Sequence, residues 1–251
     1  MKKEINHKQT MMCDCMAQFH GTFDNGKLGG KELGMMAIGY HPGKGILKFK
    51  NGQIVSDCSG SCGCVNCEEC MNDCYAVSGS LRFLDCRKNR IENTMQLRSD
   101  INKHFDDIYH AILSNNIKIV RYTDSGEIES YLQFVKVVNL ALSLPSVRFY
   151  LYTKNYAVLR EFFKEEKELP GNMVVLISIW GYQGKAEYIE FCTHRNIKAF
   201  AVNSDIKVNA MCPAYKEING KVRLNKEMSC ARCGLCFNGE NNVRVIGCLE
   251  H

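Results

Sequence analysis

Apolar runs of five to seven residues recur from position 117 onward, each followed by a stretch in which apolar side chains fall three or four positions apart. The runs at 117–122 (IKIVRY), 147–152 (VRFYLY), 173–179 (MVVLISI) and 198–202 (KAFAV) read as strands, and the stretches at 131–142, 156–167 and 185–194 as helices. Nearly all-apolar strands that alternate with helices of about a dozen residues argue for a parallel sheet with right-handed crossovers. Four such units are too few for an eight-unit barrel. The expected fold class is therefore α/β, a partial TIM-barrel-like parallel sheet with helices. Ahead of it, Ile91, Met95, Ile101, Phe105, Ile108, Ile112 and Leu113 predict one long helix over 87–114. The first 57 residues are glycine-rich and read as irregular, apart from a hairpin over 45–55 with an Asn51-Gly52 turn.

Ligands in parallel α/β proteins meet the carboxyl ends of the strands. Here every predicted strand runs out into polar side chains: Thr123-Asp124-Ser125-Gly126-Glu127, Thr153-Lys154-Asn155, Ser178 with Trp180-Gly181, and Asn203-Ser204-Asp205. One such exit is no more than a helix N-cap. Four in succession outline a lined cleft, because capping alone does not call for Lys154 or Glu127. Asp124, Glu127 and Lys154 are the candidates for catalysis; Ser125, Gly126, Glu127, Thr153, Ser178 and Asn203 are the candidates for cofactor binding. Trp180 and Cys192 are expected in the core. The scattered His20, His41, His104, His110 and His194 are expected to be bystanders.

Cysteine content adds a chemistry that the hydrophobic pattern does not. Of 15 cysteines in 251 residues, Cys58, Cys62, Cys64, Cys67, Cys70 and Cys74 crowd one segment, and Cys230, Cys233 and Cys236 another, with Cys212 upstream before Pro213. Thiolates two or three residues apart converge on a point, as a metal or iron–sulfur cluster requires and a disulfide framework does not. No apolar run follows the basic residues of MKKEINHKQTMM, and no segment approaches the roughly 20 apolar residues of a membrane span. A reducing cytoplasm, with no membrane partner, is the expected setting. Structural zinc usually takes two separated cysteine pairs, whereas three cysteines at successive spacings of two plus a distant Cys-Pro suit a [4Fe-4S] cluster. The N-terminal set holds more thiols than one cluster uses, so two or three clusters are expected in all. Cys13, Cys15 and Cys86 take no assigned role, and Cys248 ranks below Cys212 as a ligand.

Apolar residues make up 45% of the chain, enough for a sizeable core without staples. The net charge is +5, and 32 basic residues interleave with 27 acidic ones, which permits nucleic-acid binding without announcing it. Arg82, Arg87, Lys88, Arg90 and Arg98, with Phe83 among them, form the one modest basic patch. The chain is expected to divide into an irregular region with hairpin and cysteine loop (1–86), the α/β body (87–206), a C-terminal cluster-binding segment (207–248) and a tag remnant (249–251).

Four motifs in order, DCSGS with CMNDCYAVSGSLRF, RYTDSGEIESYLQF, FYLYTKNY, and the CP with CARCGLC tail, resemble the phage "gene product 88" family over roughly residues 29–237. That resemblance matches Cys58, Cys70 and Cys74 to the family's Cys-Pro-Gly, later Cys and Cys-Tyr-Ala. This chain has Ser59 in place of the proline and adds Cys62, Cys64 and Cys67, which implies room for an extra cluster. A looser likeness is to radical S-adenosylmethionine enzymes, in which a cysteine loop precedes a partial barrel. It implies that Ser125-Gly126-Glu127 meets the methionyl group of S-adenosylmethionine and that a ferredoxin or flavodoxin supplies electrons. Against that pattern, Cys67, Cys70 and Cys74 carry the two spacings in reverse order. The expected function is an iron–sulfur protein with redox or radical chemistry. The alternative is a zinc- or cluster-stapled module that binds nucleic acid or a phage or host protein.

Overall fold

The apolar runs do pair side by side and in parallel. The computed structural model describes residues 18–23, 33–42, 47–50, 53–56, 83–181 and 183–249. Its strands are β1 (Met35–Ile38), β2 (Leu47–Lys50), β3 (Gln53–Ser56), β4 (Ile119–Tyr122), β5 (Arg148–Thr153), β6 (Met173–Trp180), β7 (Ile197–Val202), β8 (Ala210–Met211), β9 (Tyr215–Ile218), β10 (Lys221–Leu224) and β11 (Val245–Cys248). Its helices are α1 (Leu84–Ser99), α2 (Ile101–Ser114), α3 (Tyr131–Ser143), α4 (Tyr156–Lys164), α5 (Lys185–Phe191) and α6 (Cys230–Cys233). Seven strands make one parallel sheet in the order β1-β4-β5-β6-β7-β11-β8; β2 with β3 and β9 with β10 are separate antiparallel pairs.

From β4 to β7 each crossover moves one strand along in the same direction. Right-handed crossovers of that kind place every helix on the same face of the sheet. The side chains divide accordingly. Met36, Val120, Leu151, Val175 and Ala199 pack with Ile108, Phe134, Val137, Leu159 and Phe191 from the helices. The alternate residues Met35, Ala37, Tyr150, Val174, Leu176 and Ile246 form a second cluster, covered by Phe237, Leu235 and Val243 of the C-terminal segment.

Three expectations are corrected here. The predicted helix over 87–114 is two helices that meet at Asp100, whose extended backbone ends α1 while its side chain accepts from Lys103 N at 2.9 Å and caps α2. Leu113, expected on the core face, is exposed. The first 57 residues are not irregular throughout, since β1 pairs with β4 from Met35↔Ile119 to Ile38↔Tyr122. The hairpin strands are present in the register Lys50↔Gln53 to Leu47↔Ser56.

Helix α1 buries a polar stripe because it ties down the chain that leaves β1. Asn93 Nδ2 donates to the carbonyls of His20 (3.0 Å) and Gly39 (2.9 Å), and Thr94 Oγ1 accepts from His41 N at 2.8 Å. A second polar chain crosses the core. Gln133 Nε2 donates to the Tyr122 hydroxyl (3.1 Å), the Tyr122 and Tyr40 hydroxyls bond to one another (2.5 Å), and Tyr40 reaches His104 Nε2 (2.9 Å). His104 Nδ1 faces Gln96 Oε1 at 2.7 Å, and the Gln96 amide nitrogen donates to Asp107. Gln96 Oε1 can only accept, which places an imidazole proton on Nδ1. The histidine is fully buried, and burial pulls it down from 6.5 to about 4.

Candidate metal centre

Sequence order and strand alternation together bring three groups of polar side chains to the sheet. The first is a knot at the ends of β4 and β5. Arg90 from α1 donates through its terminal nitrogen to Asp124 Oδ2 at 2.7 Å and through Nε to Ser125 Oγ. Ser125 Oγ donates in turn to the Tyr40 carbonyl at 2.9 Å. Gly126 has φ +75, and a Cβ there would stand 2.8 Å from Tyr40 Cβ, so both conformation and space call for glycine. Glu127 uses both oxygens internally: Oε1 accepts from Thr153 Oγ1 (2.7 Å) and Ile128 N (2.9 Å), and Oε2 from Lys154 N (2.7 Å). Burial pushes its carboxyl upward against those bonds. Neither Asp124 nor Ser125 caps the following helix; Ser130 does, accepting from Gln133 N at 3.2 Å.

The second group lines a cavity of about 210 Å³ beyond β5 and β6, bounded by Lys154, Tyr156, Ser178, Trp180, Gln183, Gly184 and Glu187. The Lys154 ammonium lies 5.2 Å from the centre of the Trp180 ring, so Trp180 is a half-buried wall of this cavity and not a core residue. Lys154 and Ser178 are thus brought together as expected. Asn203, in a left-handed conformation after β7, lies outside the cavity lining.

The third group lies on the sheet face that carries no crossover helix. Ser229 caps the short α6, and Gly234 ends it at φ 72, a turn that sets Cys230, Cys233 and Cys236 on one bend. Cys212 is held to the edge of the same sheet by its N–H to the Gly247 carbonyl at 2.7 Å. Cys212, Cys230 and Cys236 pack on the Tyr150 and Val174 side of the sheet. Cys236 receives a hydrogen bond from the Tyr152 hydroxyl at 3.1 Å, and Arg121 stacks over the Tyr152 ring at 4.8 Å.

Burial pushes the Cys236 thiol up to about 12, with negative charge on Cys230 and Cys212 adding to it and the Tyr152 hydrogen bond opposing it. Cys233 is raised too, first by burial and then by Cys212. Two of the four thiols, Cys233 and Cys236, are thus kept protonated chiefly by burial, and metal binding at such thiols would release their protons. The described residues form no group of three or more His, Cys, Asp or Glu side chains that could hold a single metal ion. The hydroxyl of Tyr150, buried beside Cys230 and Cys236, has no hydrogen-bond partner and is an orphaned donor.

Cys58, Cys62, Cys64, Cys67, Cys70 and Cys74, together with Arg82, lie outside the described residues. The basic patch is reduced by Arg90, which is buried against Asp124, and by Arg98, which forks onto Glu129. Cys192 is half-buried on α5's end, not enclosed. His104 is an integral part of the core chain and not a bystander. Sequence reading passed over Arg121, Tyr150, Tyr152 and Lys198. The available signal was strand parity, because IVRY and IKAFAV each carry one basic residue on an otherwise apolar strand.

No helix among the described residues is long and apolar enough to cross a membrane. No curated protein and no solved structure matches the chain. The family model for Gene product 88 matches residues 22–239, which takes in the sheet from β1 to β7, the strand-end knot and all four C-terminal thiols, and the chain belongs to the Gene product 88 family.

Proposed function

We propose that this protein is an iron–sulfur protein in which Cys212, Cys230, Cys233 and Cys236 hold a [4Fe-4S] cluster against the uncovered face of the sheet. The observation that carries the reading is the gathering of four half-buried thiols beside an orphaned Tyr150 hydroxyl and a stacked Arg121. One zinc ion would draw its thiolates to roughly 3.8 Å from one another, given Zn–S bonds near 2.3 Å in a tetrahedron. A cubane takes each thiolate on a separate iron and accepts a wider set, which agrees with thiols that influence one another without forming a single-ion group. Single winding curls a parallel sheet around its helix-free face, so the fold is read as a partial barrel with the cluster on its inner wall. The cysteines at 58–74 are proposed to hold one or two further clusters.

Bound there, the cluster would supply one-electron chemistry. The residues of this chain would bind it, exclude water through Tyr150, Phe237 and Leu235, and donate a hydrogen bond to the Cys236 sulfur through Tyr152. Electron transfer is the branch the strand ends favour. Glu127, the residue a radical S-adenosylmethionine enzyme would turn toward the methionyl group, clamps β4 to β5 with both oxygens. Protein purified without oxygen should carry about four irons and four sulfides per cluster, and Cys230→Ser with Cys233→Ser should lose about four irons. Stoichiometric zinc with no iron refutes the proposal. Methionine and deoxyadenosine released from S-adenosylmethionine on reduction would establish the radical branch.

A further inference from the structure

Lys198 and Tyr150 stand on the helix-free face of the sheet, on β7 and β5, and the fold alone explains neither. Lys198 is fully buried, and its ammonium donates to the carbonyls of Leu235 (2.9 Å) and Asn238 (2.7 Å) and to Asn241 Oδ1 (2.6 Å). All three N–H bonds therefore hold the loop that follows Cys233 and contains Cys236. Among the described residues, no ion pair of this lysine is formed. A buried ammonium without a counter-charge is costly, and an uncharged side chain of similar length would fill the same space. Tyr150 shows the complementary fault: 1% exposed, packed against Tyr152 and Phe237, and with a hydroxyl that donates to nothing. A ligand that is anionic and accepts a hydrogen bond would answer both.

Resting on the cluster reading above, we propose that Lys198 and Tyr150 are positioning residues of the C-terminal cluster. Lys198 is the buried counter-charge to a cubane that carries four thiolates, and the strut of its ligand loop; Tyr150 is the hydrogen-bond donor to its sulfur. Both interactions strengthen as the cluster gains an electron, so both raise its reduction potential.

The full chain, prepared without oxygen, is compared as wild type, Tyr150→Phe, Lys198→Met and Lys198→Arg by redox titration followed by electron paramagnetic resonance, with iron counted in each sample. The C-terminal signal is identified as the one lost from Cys230→Ser. Tyr150→Phe should keep its iron and shift the reduced-to-oxidised ratio about tenfold toward oxidised, about 59 mV for a one-electron couple. Its metal-free form should unfold at the same temperature as wild type or higher, because the lost hydroxyl had no partner. Lys198→Met should shift the potential in the same direction, and Lys198→Arg should restore most of it. Unchanged potentials with iron retained overturn the assignment and leave the cluster reading standing. Wild type without iron, or Cys230→Ser with its full complement, overturns both. If Lys198→Met does not fold, Tyr150→Phe decides by the same criterion.

Discussion

Mild acid should weaken this protein through one residue. His104 is fully buried, with Nδ1 facing Gln96 Oε1 and Nε2 2.9 Å from the Tyr40 hydroxyl, and burial disfavours a second ring proton. Its folded value of about 4 lies below the ordinary 6.5 of an unfolded chain. Between those values the unfolded chain binds a proton that the folded one does not, so stability rises with pH across the window and falls as pH drops from 6.5 to about 4. At 1.36 kcal/mol per pH unit, the gap corresponds to about 3 kcal/mol in all and about 2 kcal/mol by pH 5. Against a total stability of roughly 5–15 kcal/mol that is a large fraction. Urea unfolding followed by circular dichroism at pH 7, 6, 5 and 4.5 would measure it, with His104→Gln as the non-titrating control. Wild type should lose about 2 kcal/mol more than the variant between pH 7 and pH 5. Parallel loss in the two proteins would refute a neutral buried imidazole.

Other variants test the strand-end architecture. Arg90→Met takes the 2.7 Å ion-pair partner from buried Asp124, and thermal unfolding should show a loss of about 3 kcal/mol. Glu127→Gln turns an amide nitrogen toward backbone N–H donors of Lys154 or Ile128, and should cost about 1–3 kcal/mol in urea unfolding without change of fold. Gly184→Ala forces a side chain at φ +79 and puts Cβ 2.5 Å from the Ser178 carbonyl. It should destabilise by about 2 kcal/mol or more and distort the cavity wall, seen as a shift in Trp180 fluorescence.

Much of the α/β body was legible because each central strand is apolar on both faces. MVVLISI buries one parity against helices and the other against the C-terminal segment, so length and composition alone identify it. Strand β1 escaped notice because MMAI is four residues long and lies between Gly34 and Gly39, a context that reads as turn. Strand β11 is equally short. The break at Asp100 was hidden because apolar spacing continues across it, while the information sits in a capping side chain. For the site, cysteine spacing pointed to Cys230, Cys233 and Cys236, and parity could have added Arg121 and Lys198 to them. Nothing in the letters pairs Glu127 with Thr153 or leaves the Tyr150 hydroxyl without a partner; those depend on how neighbouring strands align.

Strand β11 lies between β7 and β8, although it follows both in the chain, and among the described strands β8 pairs with β11 alone. A ribosome therefore delivers all four C-terminal thiols before the piece that clamps Cys212 in place. Until residues 245–248 emerge, the nascent chain presents those sulfurs unfastened to whatever metals or oxidants surround it. Insertion of the proposed cluster at this end would accordingly be a late step of biogenesis, and a translational pause between Cys236 and Val245 would lengthen the vulnerable interval.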